Sequence, residues 1–169
     1  MGRFIFALNW GEAKSVPNDW VNKYMESWNH DDQQREADLR RAQFVSAGSL
    51  ALFKSLWKQV EGDVAQFHDG GGDPRLIAQF IPSSALVVTR REFPMIELMV
   101  KVENGYITYK RLWKFDHPSF MEEVEGQFII TSDLQGRLQV KRNGEPFADH
   151  SELSQLLLTP VFEYIRKTR

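Results

Sequence analysis

The chain has 169 residues, 42% of them hydrophobic and 26% charged, with a formal net charge of −2. That length and balance fit one folded domain with a sizeable core and exclude a disordered chain; the charge gives no global attraction to nucleic acid or to an anionic membrane. Cysteine is absent, which excludes disulfides, thiolate nucleophiles, iron–sulfur clusters and Cys-ligated zinc.

The opening "MGRFIFALNW" carries an apolar run only from Phe4 to Leu8, too short for the core of a secretory signal. Phe6 stands where a myristoylation signal needs Ser or Thr. No apolar run approaches the ~20 residues of a membrane span. The expectation is a cytoplasmic protein that does not engage a membrane.

Behind Pro17 and the cap candidates Asn18 and Asp19, residues Trp20, Val21, Tyr24, Met25 and Trp28 repeat at helical spacing. From Asp31 the chain turns polar, with Asp31/Arg35 and Glu36/Arg40 at the i,i+4 spacing of an exposed helix. Phe53, Leu56, Trp57, Val60, Val64 and Phe67 then form an apolar stripe. A helix from Asp31 to Phe67 is long beside the usual ~11–12 residues, and "SAGS" at Ser46–Ser49 predicts a kink or a close helix crossing.

"QFHDGGGDPRL", Gln66 to Leu76, is the stretch that most resembles a chemical site. A phosphate loop sits between a strand and a following helix, so that N–H groups and the helix N-terminus face the anion. Here a helix comes first and a strand follows, and neither the Walker pattern nor a calcium-loop pattern is present. Helix termination accounts for each residue: His68 favours the dipole, Gly70 or Gly71 supplies the left-handed cap, and Pro74 prevents continuation. His68 and Asp73 stay as candidate ligand-binding residues if they face a pocket.

Strand periodicity takes over in "ALVVTRR", "MIELMVKV", "YITYKRLWK", "QFIITS" and "GRLQVKR", and more weakly in "LIAQFI". Asn104-Gly105 fits a two-residue type I′ turn, which pairs Lys101 with Thr108 and Met99 with Lys110 on one face, and Val100 with Tyr109, Leu98 with Arg111 and Ile96 with Trp113 on the other. The second of these faces is almost wholly apolar. Asn143-Gly144 likewise pairs Arg142 with Glu145 and Val140 with Phe147. The register across "SDLQGR" is left open, and Asp116 to Gly126 reads as a loop or one helical turn. The last helix starts at Asp149 or Ser151, with Glu152 completing a capping box after Asp149. Pro160 kinks or restarts it, with Thr159 as a second N-cap.

The order helix, helix, antiparallel meander, helix defines an α+β fold. It comprises one curved antiparallel sheet of about five to six strands, a long N-terminal helical region packed on one face, and a C-terminal helix. The single domain covers 1–169, with helices over 1–68, the sheet over 76–148 and the last helix over 149–168.

Arg111 falls on the apolar face, where a guanidinium must stack on an aromatic ring, pair with a carboxylate or reach water; it is the third candidate ligand-binding residue. Lys101, Lys110, Lys114, Arg137 and Lys141 lie on strands and mostly on the polar face, a candidate surface for an acidic partner or anion, while acidic residues gather in the "MEEVEG" loop. Leu153, Leu157, Val161 and Tyr164 make one stripe on the C-terminal helix. Leu158, Phe162 and Ile165 make a second, a candidate oligomer interface. His30 beside Asp31 and Asp32 is half a metal site at most, and no catalytic residue, metal site or cofactor is expected. The leading expectation is a non-enzymatic domain binding a protein partner or small ligand through the sheet face or the helix–sheet crevice, as a homodimer or a monomer. The alternatives are an enzyme built around Arg111 and the His68–Asp73 loop, and a weak nucleic-acid binder on the basic strands.

Overall fold

The computed structural model describes residues 19–82, 85–114 and 121–168. The N-terminal run Phe4–Leu8, the cap candidate Asn18, and His117 with its loop lie outside the described residues. Contacts divide the chain into two units, Met1–Leu39 and Arg40–Arg169. Helix α1 is Asp19–Asp69 and helix α2 is His150–Lys167; the strands are β1 (Ile77–Ile81), β2 (Ala85–Arg90), β3 (Met95–Glu103), β4 (Tyr106–Lys114), β5 (Met121–Ser132), β6 (Leu138–Arg142) and β7 (Glu145–Pro146). The class is α+β, as the sequence predicts, with seven strands rather than five to six. No helix among the described residues is long and apolar enough to cross a membrane.

In Met1–Leu39 the described residues belong to the first part of α1, and Trp20, Tyr24, Met25 and Trp28 are exposed. Lys23 pairs with Asp19 at 3.1 Å, and Arg35 pairs with Asp32 at 3.7 Å rather than with Asp31. The two helices expected before the sheet are one, α1, unbroken through Ser46–Ser49. The small residues there serve a close approach of helix to sheet: a Cβ on Gly48 would run into the Leu138 side chain of β6.

In Arg40–Arg169 the strands follow chain order, β1 to β7, each antiparallel to the next. The Asn-Gly turns fix this meander. Asn104 and Asn143 have φ of 50° and 53°, and Gly105 and Gly144 have φ of 81° and 89°, the paired left-handed residues of a type I′ turn. The β3–β4 register that follows is the one the sequence predicts, Leu98 opposite Arg111 and Ile96 opposite Trp113. The open register is Ile129 with Lys141 through Ser132 with Leu138.

Side-chain alternation sends Leu86, Val88, Ile96, Leu98, Val100, Ile107, Phe128, Ile130 and Val140 to one face of the sheet, here called inner. Val45, Phe53, Leu56, Val60 and Val64 of α1 and Leu153, Leu157, Leu158, Val161 and Ile165 of α2 join them in one core. Asp149 caps α2, accepting from the Glu152 N–H at 2.9 Å, while Glu152 accepts from the Ala148 N–H at 2.7 Å.

Gly126 shows how the sheet tolerates a glycine mid-strand. It stands opposite Tyr109, and the Tyr109 ring lies over it, so that a Cβ there would sit 2.5 Å from the ring. The same ring stacks on Phe128 at 5.3 Å. An aromatic lying across a glycine restores the packing that the missing side chain would lose. Gly126→Ala is therefore expected to destabilise the fold by about 1–3 kcal/mol, the usual cost of overpacking, although alanine is elsewhere milder than glycine in a strand. Urea unfolding of the two proteins measures the difference.

Candidate functional site

The glycine stretch is a helix terminus. Gly72 N–H donates to Phe67 O at 2.7 Å and Gly71 N–H to His68 O at 2.9 Å, the paired bonds of a Schellman motif with Gly71 at φ 81° as the left-handed residue. His68 Nε2 lies 2.9 Å from the Leu76 carbonyl oxygen, tying the helix end to the chain entering β1. Asp73 is 1% exposed and fully engaged. Its Oδ1 accepts from Arg75 Nε at 2.8 Å and from the Arg75 N–H at 3.1 Å, and its Oδ2 from Arg75 Nη2 at 2.8 Å. Buried Arg90 at the end of β2 adds an ion pair, Nε to Oδ2 at 3.1 Å, without hydrogen-bond alignment. The bonds from Arg75 outweigh burial and hold the Asp73 carboxyl well down, at about 2 against an ordinary 3.8.

Arg111 is 8% exposed, so it does not reach out to water. Its guanidinium carbon lies 4.8 Å from the Tyr109 ring centroid, and Nη2 donates to the Leu156 carbonyl of α2 at 3.3 Å. That carbonyl is free for a definite reason. Leu156 stands four residues before Pro160, and proline has no N–H to complete the helical bond. Helix α2 therefore runs through Pro160 without restarting, and Thr159 is no second cap, since its hydroxyl donates back to Gln155 O at 2.7 Å. Burial lowers the Arg111 pKa, partly offset by Tyr109; Nε has no hydrogen-bond partner, and no carboxylate pairs with the guanidinium among the described residues. Arg111, His68 and Asp73 share no hydrogen bond or ion pair with one another, each being committed to a different neighbour. No three His, Asp or Glu side chains group as metal ligands among the described residues.

The outer face carries the charge. Its rows run Gln79–Val87–Met99–Lys110–Glu125 and Ile81–Ala85–Lys101–Thr108–Gln127 across β1 to β5. A groove of about 420 Å³ lies there, lined by Met99, Lys101, Thr108, Lys110, Glu125 and Gln127 among others. The acidic residues read as a loop belong to β5, because Met121–Gly126 pairs with β4 along its whole length. Lys110 consequently reaches Glu123 at 2.6 Å and Glu125 at 3.3 Å. The bond to Glu123 raises the Lys110 pKa, and the same bond lowers that of Glu123. Lys101, Lys114 and Lys141 also lie on this face, with no ion pair among the described residues. Arg137 does not lie on a strand. It sits in the β5–β6 turn, held by Asp133 at 2.9 Å, whose carboxyl is lowered first by the Arg137 N–H.

The second stripe of α2 is covered within the chain at Leu158 and Ile165 and in part at Phe162. Leu158 and Ile165 are each 1% exposed, and Phe162 stacks face to face on Phe67 of α1 at 4.2 Å. Leu158 and Ile165 thus face the core, while Phe162 stays half-buried and lines a groove of about 370 Å³ with Phe67, Gln66 and Leu158 among others. Ser154 Oγ adds a bond to Asp63 Oδ2 across the same pair of helices at 2.5 Å.

Two measurements follow from these contacts. Because Asp73 is depressed when folded, its linked stability is complete above 3.8 and is lost as pH falls through about 2. Asp73→Asn, which strands buried Arg90, is expected to cost about 3–5 kcal/mol at neutral pH. Urea unfolding at several pH values should show that gap narrowing by about 2 kcal/mol between roughly pH 6 and pH 2. For Arg111, the cost of Arg111→Met should be smaller by about 1 kcal/mol in a Pro160→Ala background, where residue 160 regains the N–H that satisfies Leu156 O. A double-mutant cycle reads that coupling. Compared with known proteins, the chain matches no family model, no curated protein and no solved structure, so the geometry of the site carries the functional reading.

Proposed function

We propose that the protein is a non-enzymatic binding module that receives a polypeptide partner on the outer face of its sheet. The observation that carries the reading is the composition of that face: a groove lined by lysine, glutamate, threonine and glutamine side chains, bordered by exposed apolar ones. Met121 is 56%, Ile129 45% and Tyr106 40% exposed. Charged and polar groups set the register of a contact and the choice of partner, and exposed apolar side chains beside them supply area to bury. The middle of the helix–sheet crevice supports a small-ligand reading less well, because Phe53, Leu56, Leu98, Val100, Leu153 and Leu157 are each at most 1% exposed there; its β6–β7 end keeps a groove of about 390 Å³, lined by Leu52, Leu138, Val140, Phe147, His150 and Leu153 among others. The ion pairs of Lys110 with Glu123 and Glu125 also favour a partner of mixed charge over a polyanion, since carboxylates interleave with the cations.

Site-specific photo-crosslinking tests the reading in cells. A photoreactive residue at exposed Gln127 is expected to give a discrete polypeptide adduct that one at exposed Lys58 of α1 does not. Lys110→Glu should weaken that adduct about tenfold, as for a change of about 1.4 kcal/mol. Adducts of equal yield from both positions, or none from Gln127, would overturn it.

A further inference from the structure

The two edges of the sheet are unlike. At one end β7 has only two residues, Glu145 and Pro146, a short strand with a charge and a proline, all devices that stop further pairing. At the other end β1 reads Ile77-Ala78-Gln79-Phe80-Ile81. It contains no charge and no proline, and it keeps regular register with β2 along its whole length, with no bulge. Nothing among the described residues pairs with its outer edge, so alternate residues direct N–H and C=O groups away from the sheet. Such an edge is a template for another strand.

We propose that the occupant is a second copy of this chain, its β1 pairing antiparallel to the first across a two-fold axis at Gln79. The strand is its own complement. In that register Ile77 stands opposite the partner's Ile81, Gln79 opposite the partner's Gln79, and Ile81 opposite the partner's Ile77, all on the outer face. Ala78 stands opposite the partner's Phe80 on the inner face, where Phe80 already packs against Trp57 at 5.8 Å and Phe53 at 6.2 Å. A two-fold contact requires this self-complementarity, and the arrangement brings together two pairs of isoleucines that are 45% and 46% exposed in the single chain. The contact does not depend on what binds the outer face; it would join two such faces into one continuous surface. It is also small as interfaces go, so association is sought at about tens of micromolar chain and above.

Sedimentation equilibrium on the full chain reads the association, and a charge-swap series reads the register. Like charges directly opposite each other repel across strands, and opposite charges attract. Ile77→Lys with Ile81→Lys puts lysine opposite lysine twice and is expected to weaken dimerisation at least about a hundredfold. Ile77→Lys with Ile81→Glu puts lysine opposite glutamate twice and should recover the wild-type constant to within about tenfold at low salt. Both positions are exposed, and thermal unfolding of each variant verifies that the fold survives. A dimer restored by the Lys/Glu chain and lost in the Lys/Lys chain supports the proposal. A wild-type chain that stays monomeric to millimolar concentration overturns it. So does a dimer indifferent to both variants, or a monomer whose β1 edge takes up an extended peptide of another sequence.

Discussion

A proline inside a helix leaves one carbonyl without its N–H partner, and a buried arginine on a sheet needs an acceptor. In this protein the two deficits meet. Pro160 releases the carbonyl of Leu156, and Arg111 of β4 donates to it across the helix–sheet interface. The bond ties α2 to the middle of the sheet at a specific rotation, with Leu153, Leu157 and Val161 turned into the core beside it. Either residue alone would be a defect: an orphan carbonyl in the helix, or an unpaired guanidinium against Leu98 and Val124. Together they set the angle at which the last helix meets strands that were paired long before it in sequence.

Asp73 plays the corresponding part at the other joint, between α1 and the sheet. The Schellman turn releases the chain from the helix, His68 holds Leu76, and the buried carboxylate gathers Arg75 and Arg90. The loop is thereby fixed from both sides, by its own Arg75 and by the far end of β2. A carboxylate engaged by cations in this way has a structural role at the joint.

Much of the architecture was legible because local chemistry and global packing agree. The Asn-Gly turns dictate register through residues that tolerate positive φ, and one slip would turn Leu98 and Val100 out to water. The same alternation placed Arg111 among apolar neighbours. What satisfied Arg111 was not legible, because it required reading Pro160 as the source of a free acceptor 45 residues later in the chain. β5 is hidden in the sequence where it is acidic: Glu122, Glu123 and Glu125 obscure the period-2 pattern, and the strand is held there by pairing with β4 and by Lys110. The second stripe of α2 is plain in the sequence, but its spacing does not say that Phe67 of α1 stacks on Phe162.

These corrections shift where recognition can occur. With the middle of the crevice packed, Asp73 engaged by arginines, and Phe162 stacked on Phe67, the outer sheet face and the edge of β1, which no described residue pairs, stand out on the surface of Arg40–Arg169. The outer face mixes lysines, glutamates and exposed apolar side chains, which suits shape-and-charge recognition of a polypeptide better than capture of a single charged group. The edge offers backbone hydrogen bonds with little side-chain specificity, and it becomes selective only through the residues flanking it. Isoleucine on both sides of Gln79 would meet isoleucine in a second copy, and that match is the selectivity on which the proposed pairing rests.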